Sequence, residues 1–519
     1  MHPVNGWTGR TACALQSALR MSNEAFAAHL GIATRTVGGW HQKPTVRPKS
    51  EMQQLLDAAL DRASDDARSR FAQLTGSAPA TEATDAELRL LDDPDITAAL
   101  DWLDQHAGWE PGGSRHAVAV RLARLDLREL QDRRARRTRV SQRDLADALA
   151  AYYGASTTDH GRYTARVGDQ AVQTSVLTHP DWLDLDCPLI PQHDRLTVVS
   201  ASPDAELILD VEASDPAIER LAAALAMRTR LINNPLYQLH SIDIAKGRIG
   251  GSASVAHFVQ YALTMDLLEG ELTDALASGL QAVPGSLPLR DRYLPNLASV
   301  VDISTRLCAG GALALTAIAR PADPFRGEPD YLLLVQERSG HVLNANRRLA
   351  VIPKGFHQPL ADVRADAQIG VTLRREMEEE LFGRDDVDST VTSQRSADPL
   401  HPSRLSEPMR WLTESPGRLR MECTGFGLNL VSGNYEFASL IVIEDEEFWD
   451  RFGGMIEANW ESSSLRRYST TDTDLLTELI TDVAWSNEGL FAMTQGLHRL
   501  AEIGGPRVKV PPIEWEIRR

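Results

Sequence analysis

The chain has 519 residues, a formal net charge of −18, and 43% hydrophobic against 24% charged residues. That length is more than one hydrophobic core supports, so a modular chain of three or four domains is expected. No apolar run approaches the roughly 18 residues of a membrane span, and the start MHPVNGWTGRTAC has no secretory pattern, so the expectation is a cytoplasmic protein with no membrane partner.

The charge is unevenly spread. Residues 1–50 carry Arg10, Arg20, Arg35, Lys43, Arg47 and Lys49 against Glu24 alone, a net +5 on an acidic protein. Such a basic module suits phosphate, because clustered Lys and Arg release the counterions of nucleic acid. Within it, SNEAFAAHLGIATRTVGGWHQKP has a helix-turn-helix spacing: Ser22 caps a helix, Phe26 and Leu30 lie four apart on its inner face, and Gly31 supplies the turn. Ala27 stands where two helices cross, and Val37 falls six residues after Gly31. Leu15, Leu19, Ile32 and Trp40 complete the expected core. Thr34, Arg35, Thr36, Gly38, Gly39, His41 and Lys43 are left as the candidate DNA-facing positions. Arg35 suits either a guanine edge or a phosphate.

Through ALRMSNEAFAAHLGIATRTVGGW the segment resembles the Cro/C1 (XRE-like) repressor family. The resemblance implies double-stranded DNA as a partner and a homodimer reading two half-sites. Gly38 and Gly39 depart from the pattern, each lowering helix propensity by about 1 kcal/mol relative to alanine, so the expectation is a recognition helix that is short or that orders only on DNA. The alternative is a plain helical hairpin used for protein contacts.

An amphipathic helix is expected from Ser50 to Leu74, and GSAPATEATDA reads as a linker. The expected divisions are a helix-turn-helix domain at 1–75, a linker at 76–90, an Arg-rich helical segment at 91–155, an α/β middle domain at 156–305 and a C-terminal domain at 306–519. Residues 115–143 hold ten arginines against Asp126, Glu129 and Asp132, a second basic patch of net +7. Its arginines either contact phosphates or pair with the acidic remainder of the chain. In the middle segment, LTVVSA and ELILDV read as short apolar runs, and PAIERLAAALAMRTRLI and SVAHFVQYALTMDLLEGEL as helices. Beyond Gly310, ALALTAIA, YLLLVQE and RLAVIPKG read as strands, and ECTGFGLNLVSGNYEFASLIVIE as a hairpin turning at Ser432-Gly433-Asn434. Cys13, Cys187, Cys308 and Cys423 show no CxxC or Cys/His spacing, so reduced and mostly buried thiols are expected.

The strongest chemical pattern is Arg375-Glu376-Met377-Glu378-Glu379-Glu380-Leu381-Phe382-Gly383. Leu373, Met377 and Leu381 recur every four residues as a buried stripe, flanked by Glu376 and Glu380, with Glu379 one step further round and Glu378 expected to point away. Carboxylates crowded on one helix face repel, and a hard divalent cation such as Mg²⁺ or Mn²⁺ would reverse that cost. Arg375, Glu376, Met377, Glu379 and Glu380 resemble the second half of the Nudix box, R-E-U-x-E-E.

The Nudix resemblance covers roughly residues 310–500 and implies an α/β/α sandwich. It also implies glutamates 376, 379 and 380 as ligands of Mg or Mn, Arg375 as their orienting partner, and a nucleoside diphosphate derivative as substrate. The first half of the box departs: Gly355 lies twenty residues before Arg375 rather than fourteen, and only Asp362 or Asp366 stands near the missing upstream glutamate. Arg338, Arg347, Arg348 and Lys354 are candidates to meet phosphates, and Glu436 is a candidate general base. Three readings stay open: a Mg²⁺-dependent hydrolase, a sensor that binds a nucleotide-type small molecule without cleaving it, or an acidic solvated helix. Together with the helix-turn-helix, the expected whole is a multidomain α+β transcriptional regulator whose C-terminal domain senses a nucleotide-type ligand. The competing expectation is a hydrolase whose N-terminal helices serve localisation or assembly.

Overall fold

The computed structural model describes residues 7–64, 67, 70–71, 94–200, 209–229, 231–338, 348–384, 400–456 and 462–519. The chain is mixed α+β and forms two compact units, residues 1–104 with 109–125, and residues 105–108 with 126–519. The linker expected at 76–90 lies outside the described residues. No helix of the described residues is long and apolar enough to cross a membrane.

The smaller unit opens with helices Gly9–Ala18, Asn23–Leu30, Thr34–Gln42 and Ser50–Asp61. Ser22 caps the second helix through its hydroxyl, which accepts from the Ala25 N–H at 3.2 Å. That helix ends at Gly31 with φ +68°, a left-handed conformation that glycine adopts without a Cβ clash. Leu15, Phe26, Ala27, Leu30, Val37 and Trp40 are buried together, with Leu19 and Ile32 packed at the edge. The third helix runs unbroken through Gly38 and Gly39, longer than their propensity suggests. Burial of Val37 and Trp40 on either side of the glycine pair outweighs it.

The larger unit is built on an eleven-stranded sheet. Across its main path the order is Ser462–Ser469, Asp330–Arg338, Gly310–Arg320, Tyr435–Ile443, Leu419–Asn429, Gln170–Thr178, Gly161–Val167 and Ile513–Arg518. Gly310–Arg320 and Tyr435–Ile443 are parallel, and the other neighbours on this path are antiparallel. Alternation sends Leu313, Leu315 and Ala317 to one face, where they pack with the long helix Asn487–Ile503. Ala312, Ala314 and Ile318 face the other way, into a core containing Ile369, Leu373 and Met377 of the carboxylate segment. A separate three-stranded sheet is formed by Asp194–Val198, Arg248–His257 and Pro235–Ala245.

Strand pairing places the middle of the chain differently from expectation. Leu177 and Val176 pair with Leu428 and Asn429, so strands from the expected middle domain complete the same sheet as strands beyond 310. The division expected at 305/306 therefore falls inside one compact unit, and the Arg-rich helix Leu127–Arg137 begins that unit. Of ELILDV, Asp210 is a helix cap, its carboxylate accepting from the Ala213 N–H at 3.0 Å at the start of Val211–Met227. The helix expected from Ser254 instead begins as the end of a strand and continues as Phe258–Ala262 and Leu267–Ala277. The hairpin expected around 432–434 forms, with Leu428 opposite Tyr435 and Gly433 at φ +78°. The four cysteines are free thiols, three buried and Cys13 half-buried.

Candidate functional site

Two surfaces carry the chemistry, one in each unit. On the third helix of the smaller unit Thr34, Arg35 and His41 are exposed, Thr36 and Gly38 are half-exposed, and Lys43 stands exposed just past the helix end. Val37 and Trp40 anchor the opposite side, so the helix presents a continuous polar face with Arg35 near its N-terminus. The His41 ring Nε2 is hydrogen-bonded at 2.9 Å to Gln16 Oε1. The Gln16 amide in turn donates to the Met21 carbonyl at 3.1 Å and to Asn23 Oδ1 at 2.8 Å. His41 thus ties the third helix to the first and second.

The larger unit holds a cavity of about 790 Å³, within the range of small-molecule sites. Its floor is the strand Lys354–Phe356, laid against Gly311–Leu313 of the central sheet. A Cβ at Gly355 would overlap the Glu376 carboxylate, so any larger residue there would have to push that side chain out of its place beside Arg375. This is the glycine that stands twenty residues before Arg375. The longer connection is a loop anchored by Asp366, whose Oδ2 accepts the N–H groups of Leu360, Ala361 and Asp362 at 2.8, 2.8 and 2.9 Å. Asp362 in turn accepts from Arg364 and Ala365, so both aspartates serve the loop backbone. Buried His357 completes the anchor between the Tyr435 hydroxyl and the Ala367 carbonyl, and burial lowers its pKa to about 3, so it is neutral.

The carboxylate segment itself changes geometry midway. An α-helix covers Ile369–Glu376 and a π-helical turn covers Met377–Leu381, closed by the Phe382 N–H donating to the Met377 carbonyl five residues back. Arg375 is buried and holds Glu376 Oε1 through Nη2 at 2.5 Å and Nε at 3.1 Å, while Nη2 also donates to the Phe356 carbonyl at 2.9 Å. Glu380 Oε2 accepts the Lys354 N–H at 2.7 Å. Glu379 is half-buried and lines the cavity with Glu376. Glu378, expected to point away, is instead fully buried and accepts the Ser406 N–H at 3.0 Å, with Arg384 3.6 Å away. The wider turn after Met377 shifts every later side chain from its α-helical position, which period counting at 3.6 residues does not anticipate.

Glu376, Glu379 and Glu380 therefore do not converge on one point. Among the described residues no group of three or more His, Cys, Asp or Glu side chains is placed to hold a metal ion. The donor set expected for Mg or Mn is divided between Arg375, the Lys354 backbone and the cavity.

A second carboxylate pair faces the same space. Lys354 Nζ donates to Glu488 Oε1 at 2.5 Å, and Asn429 Nδ2 donates to Glu488 Oε2 at 3.2 Å and to Glu436 Oε1 at 3.4 Å. Burial, reinforced by the Glu488 charge, pushes the Glu436 carboxyl up to about 8. Burial also works to raise Glu488, but the Lys354 ammonium overrides it and the net shift is downward. Neighbouring carboxyls are thus driven apart, one neutral and one ionised at neutral pH. No protein-family model and no curated protein matches this chain.

The far wall comes from the Arg-rich helix. Arg137 is bonded to Asp274 by two contacts of 2.5 Å, and Arg133 lies 3.6 Å from Glu219. Arg133 and Arg137 thus pair with acidic residues of their own unit, while Arg136 and Arg139 of the same helix region are exposed. The middle segment also shapes the wall: buried Arg290 donates to the Leu430 and Val431 carbonyls at 2.5 and 2.6 Å, and Arg306 to the Gly433 carbonyl at 2.6 Å. Asp194, buried and raised to about 6 by that burial, accepts the Gly370 N–H at 2.8 Å at the start of the carboxylate helix. Sequence reading missed Glu488 and Asn429. Glu488 lies two residues after the cap Ser486, where an acidic residue reads as ordinary helix-start chemistry, and Asn429 reads as a strand end.

Proposed function

We propose that this protein is a DNA-binding transcriptional regulator. Its larger unit, a divergent relative of Nudix hydrolases with an α/β/α arrangement, binds a nucleotide-type small molecule without metal-assisted cleavage. The observation that carries the reading is the cavity over Gly355, which gathers Glu376, Glu379, Lys354, Glu436 and the Arg-rich helix around one ligand-sized space. The placement of the glutamates favours binding over hydrolysis, because Glu380 is taken by the Lys354 N–H while only Glu376 and Glu379 of the three line the cavity. The DNA-binding half rests on the exposed face bearing Thr34, Arg35, Thr36, Gly38, His41 and Lys43, and on the basic charge of its module. A single short recognition helix reads few base pairs, so a homodimer on two half-sites and a cytoplasmic location complete the reading.

The test has two arms. Selection from random duplexes followed by anisotropy across a salt series is expected to return a two-half-site DNA whose affinity falls as salt rises. Absent or salt-insensitive binding contradicts the regulator reading. Incubation with Mg²⁺ and ADP-ribose, dinucleotides or nucleoside triphosphates is expected to give no turnover. Turnover abolished by Glu379→Gln would make the protein a hydrolase instead.

A further inference from the structure

The charge pattern of the cavity restricts what it accepts. Its wall carries more carboxylates than cationic side chains, contrary to a pocket built for a polyphosphate. Most of the cations there are also already matched. Arg137 is paired with Asp274, Arg133 with Glu219, Arg220 with Asp266 at 2.5 Å, and Lys354 with Glu488 at 2.5 Å. Pulling such a cation onto a ligand phosphate strands its acid partner, and a part-buried acid without its cation is costly. Asp266 has no exposed side-chain surface, and its Oδ1 receives no hydrogen bond. The wall therefore asks for hydrogen-bond donors at several points and for negative charge at few.

Arg348 differs from these four. It lines the cavity, makes no ion pair among the described residues, and is bonded through Nη2 to the Val140 carbonyl. Burial depresses its pKa, and the surrounding acids Glu269, Glu488 and Asp144 only partly offset this, so its charge is left undercompensated. Across the same space lie the acceptors of Glu436, Glu488 and Asn429.

Resting on the nucleotide reading above, we infer that the cavity selects a ligand with one anionic group, bound by Arg348, and a body rich in hydrogen-bond donors that meets Glu436, Glu488 and Asn429. Among nucleotides this means a nucleoside monophosphate rather than a diphosphate derivative or triphosphate. A second or third phosphate adds charge where Arg133, Arg137, Arg220 and Lys354 are already paired with carboxylates, and has to displace an acid such as Asp274 or Glu219.

Calorimetric titration of the full chain tests this with four nucleosides, their 5′ mono-, di- and triphosphates, and ADP-ribose. The expected result is a monophosphate binding about tenfold more tightly than the triphosphate of the same base, and Arg348→Ala lowering monophosphate affinity to about that of the unchanged nucleoside. Arg348→Lys, which keeps the charge, is expected to retain part of the preference, and it carries the test should the alanine variant fail to fold. A triphosphate or ADP-ribose binding as tightly as the monophosphate, or a monophosphate-to-nucleoside ratio unmoved by both variants, overturns the inference while leaving the nucleotide reading in place. No binding by any member of the series overturns both.

Discussion

The two units of this chain encode their sites in opposite ways. In the smaller one, the residues that make the turn and the exposed face all lie between Leu15 and Lys43, within helices that succeed one another in the chain. In the larger one, a single cavity draws on Arg133, Glu219, Asp266, Lys354, Glu376, Glu436 and Glu488. A local pattern specifies the first, whereas strand pairing assembles the second. Substitutions should therefore fail differently: in the smaller unit through its local core, in the larger through residues remote in sequence from the wall they hold.

The largest effects are expected at one residue of each kind. Phe26→Ala empties the small core and should cost about 3–5 kcal/mol, abolishing the proposed DNA binding and the protection of residues 9–42 in hydrogen exchange. Arg290→Ala leaves the Leu430 and Val431 carbonyls without their buried donor and should cost a similar roughly 3–5 kcal/mol. Exchange should then rise at 429–434 while 9–42 stays protected. Equal loss of protection in both places would contradict the separation.

A smaller effect is expected on pH dependence. Glu436 has a folded pKa raised to about 8 from 4.5, so its stabilising contribution is complete below 4.5 and is lost as pH rises through 8. Glu436→Gln should therefore flatten the stability profile between these values and raise the Tm at pH 8.5 by a few degrees. A profile identical to that of the unaltered protein would show that the carboxyl is not held protonated. The smallest effect belongs to Gly31→Ala. Nothing lies within 4 Å of the added Cβ, so only the left-handed backbone is strained, by about 1 kcal/mol. Denaturant unfolding monitored by Trp7 and Trp40 fluorescence measures it.

The same contrast explains what was legible in the sequence. Ser22, Gly31, Val37 and Trp40 took the places their spacing gave them, because cap, turn and core lie within twenty residues of one another. The strands beyond Gly310 and the hairpin at Gly433 were legible for the same reason, being alternating or apolar runs with a turn residue between them. Glu378 was misplaced because the π-helical turn breaks the 3.6-residue period on which its position was counted. The middle segment was read as separate because nothing local marks Val176 and Leu177 as partners of Asn429 and Leu428. The cavity was legible only through its carboxylate helix. Its opposite wall depends on ion pairs such as Arg137–Asp274, 137 residues apart in the chain.

A regulator of the kind proposed requires its two sites to be coupled. Such coupling is reciprocal, each ligand shifting affinity for the other by the same factor, commonly about 5- to 150-fold. The direct measurement is the affinity of the full chain for its selected duplex by anisotropy, at fixed salt, with and without a saturating nucleoside monophosphate. The account predicts a change of at least about fivefold that disappears in Arg348→Ala while ligand-free DNA affinity stays the same. Equal DNA affinity with and without bound ligand would contradict it.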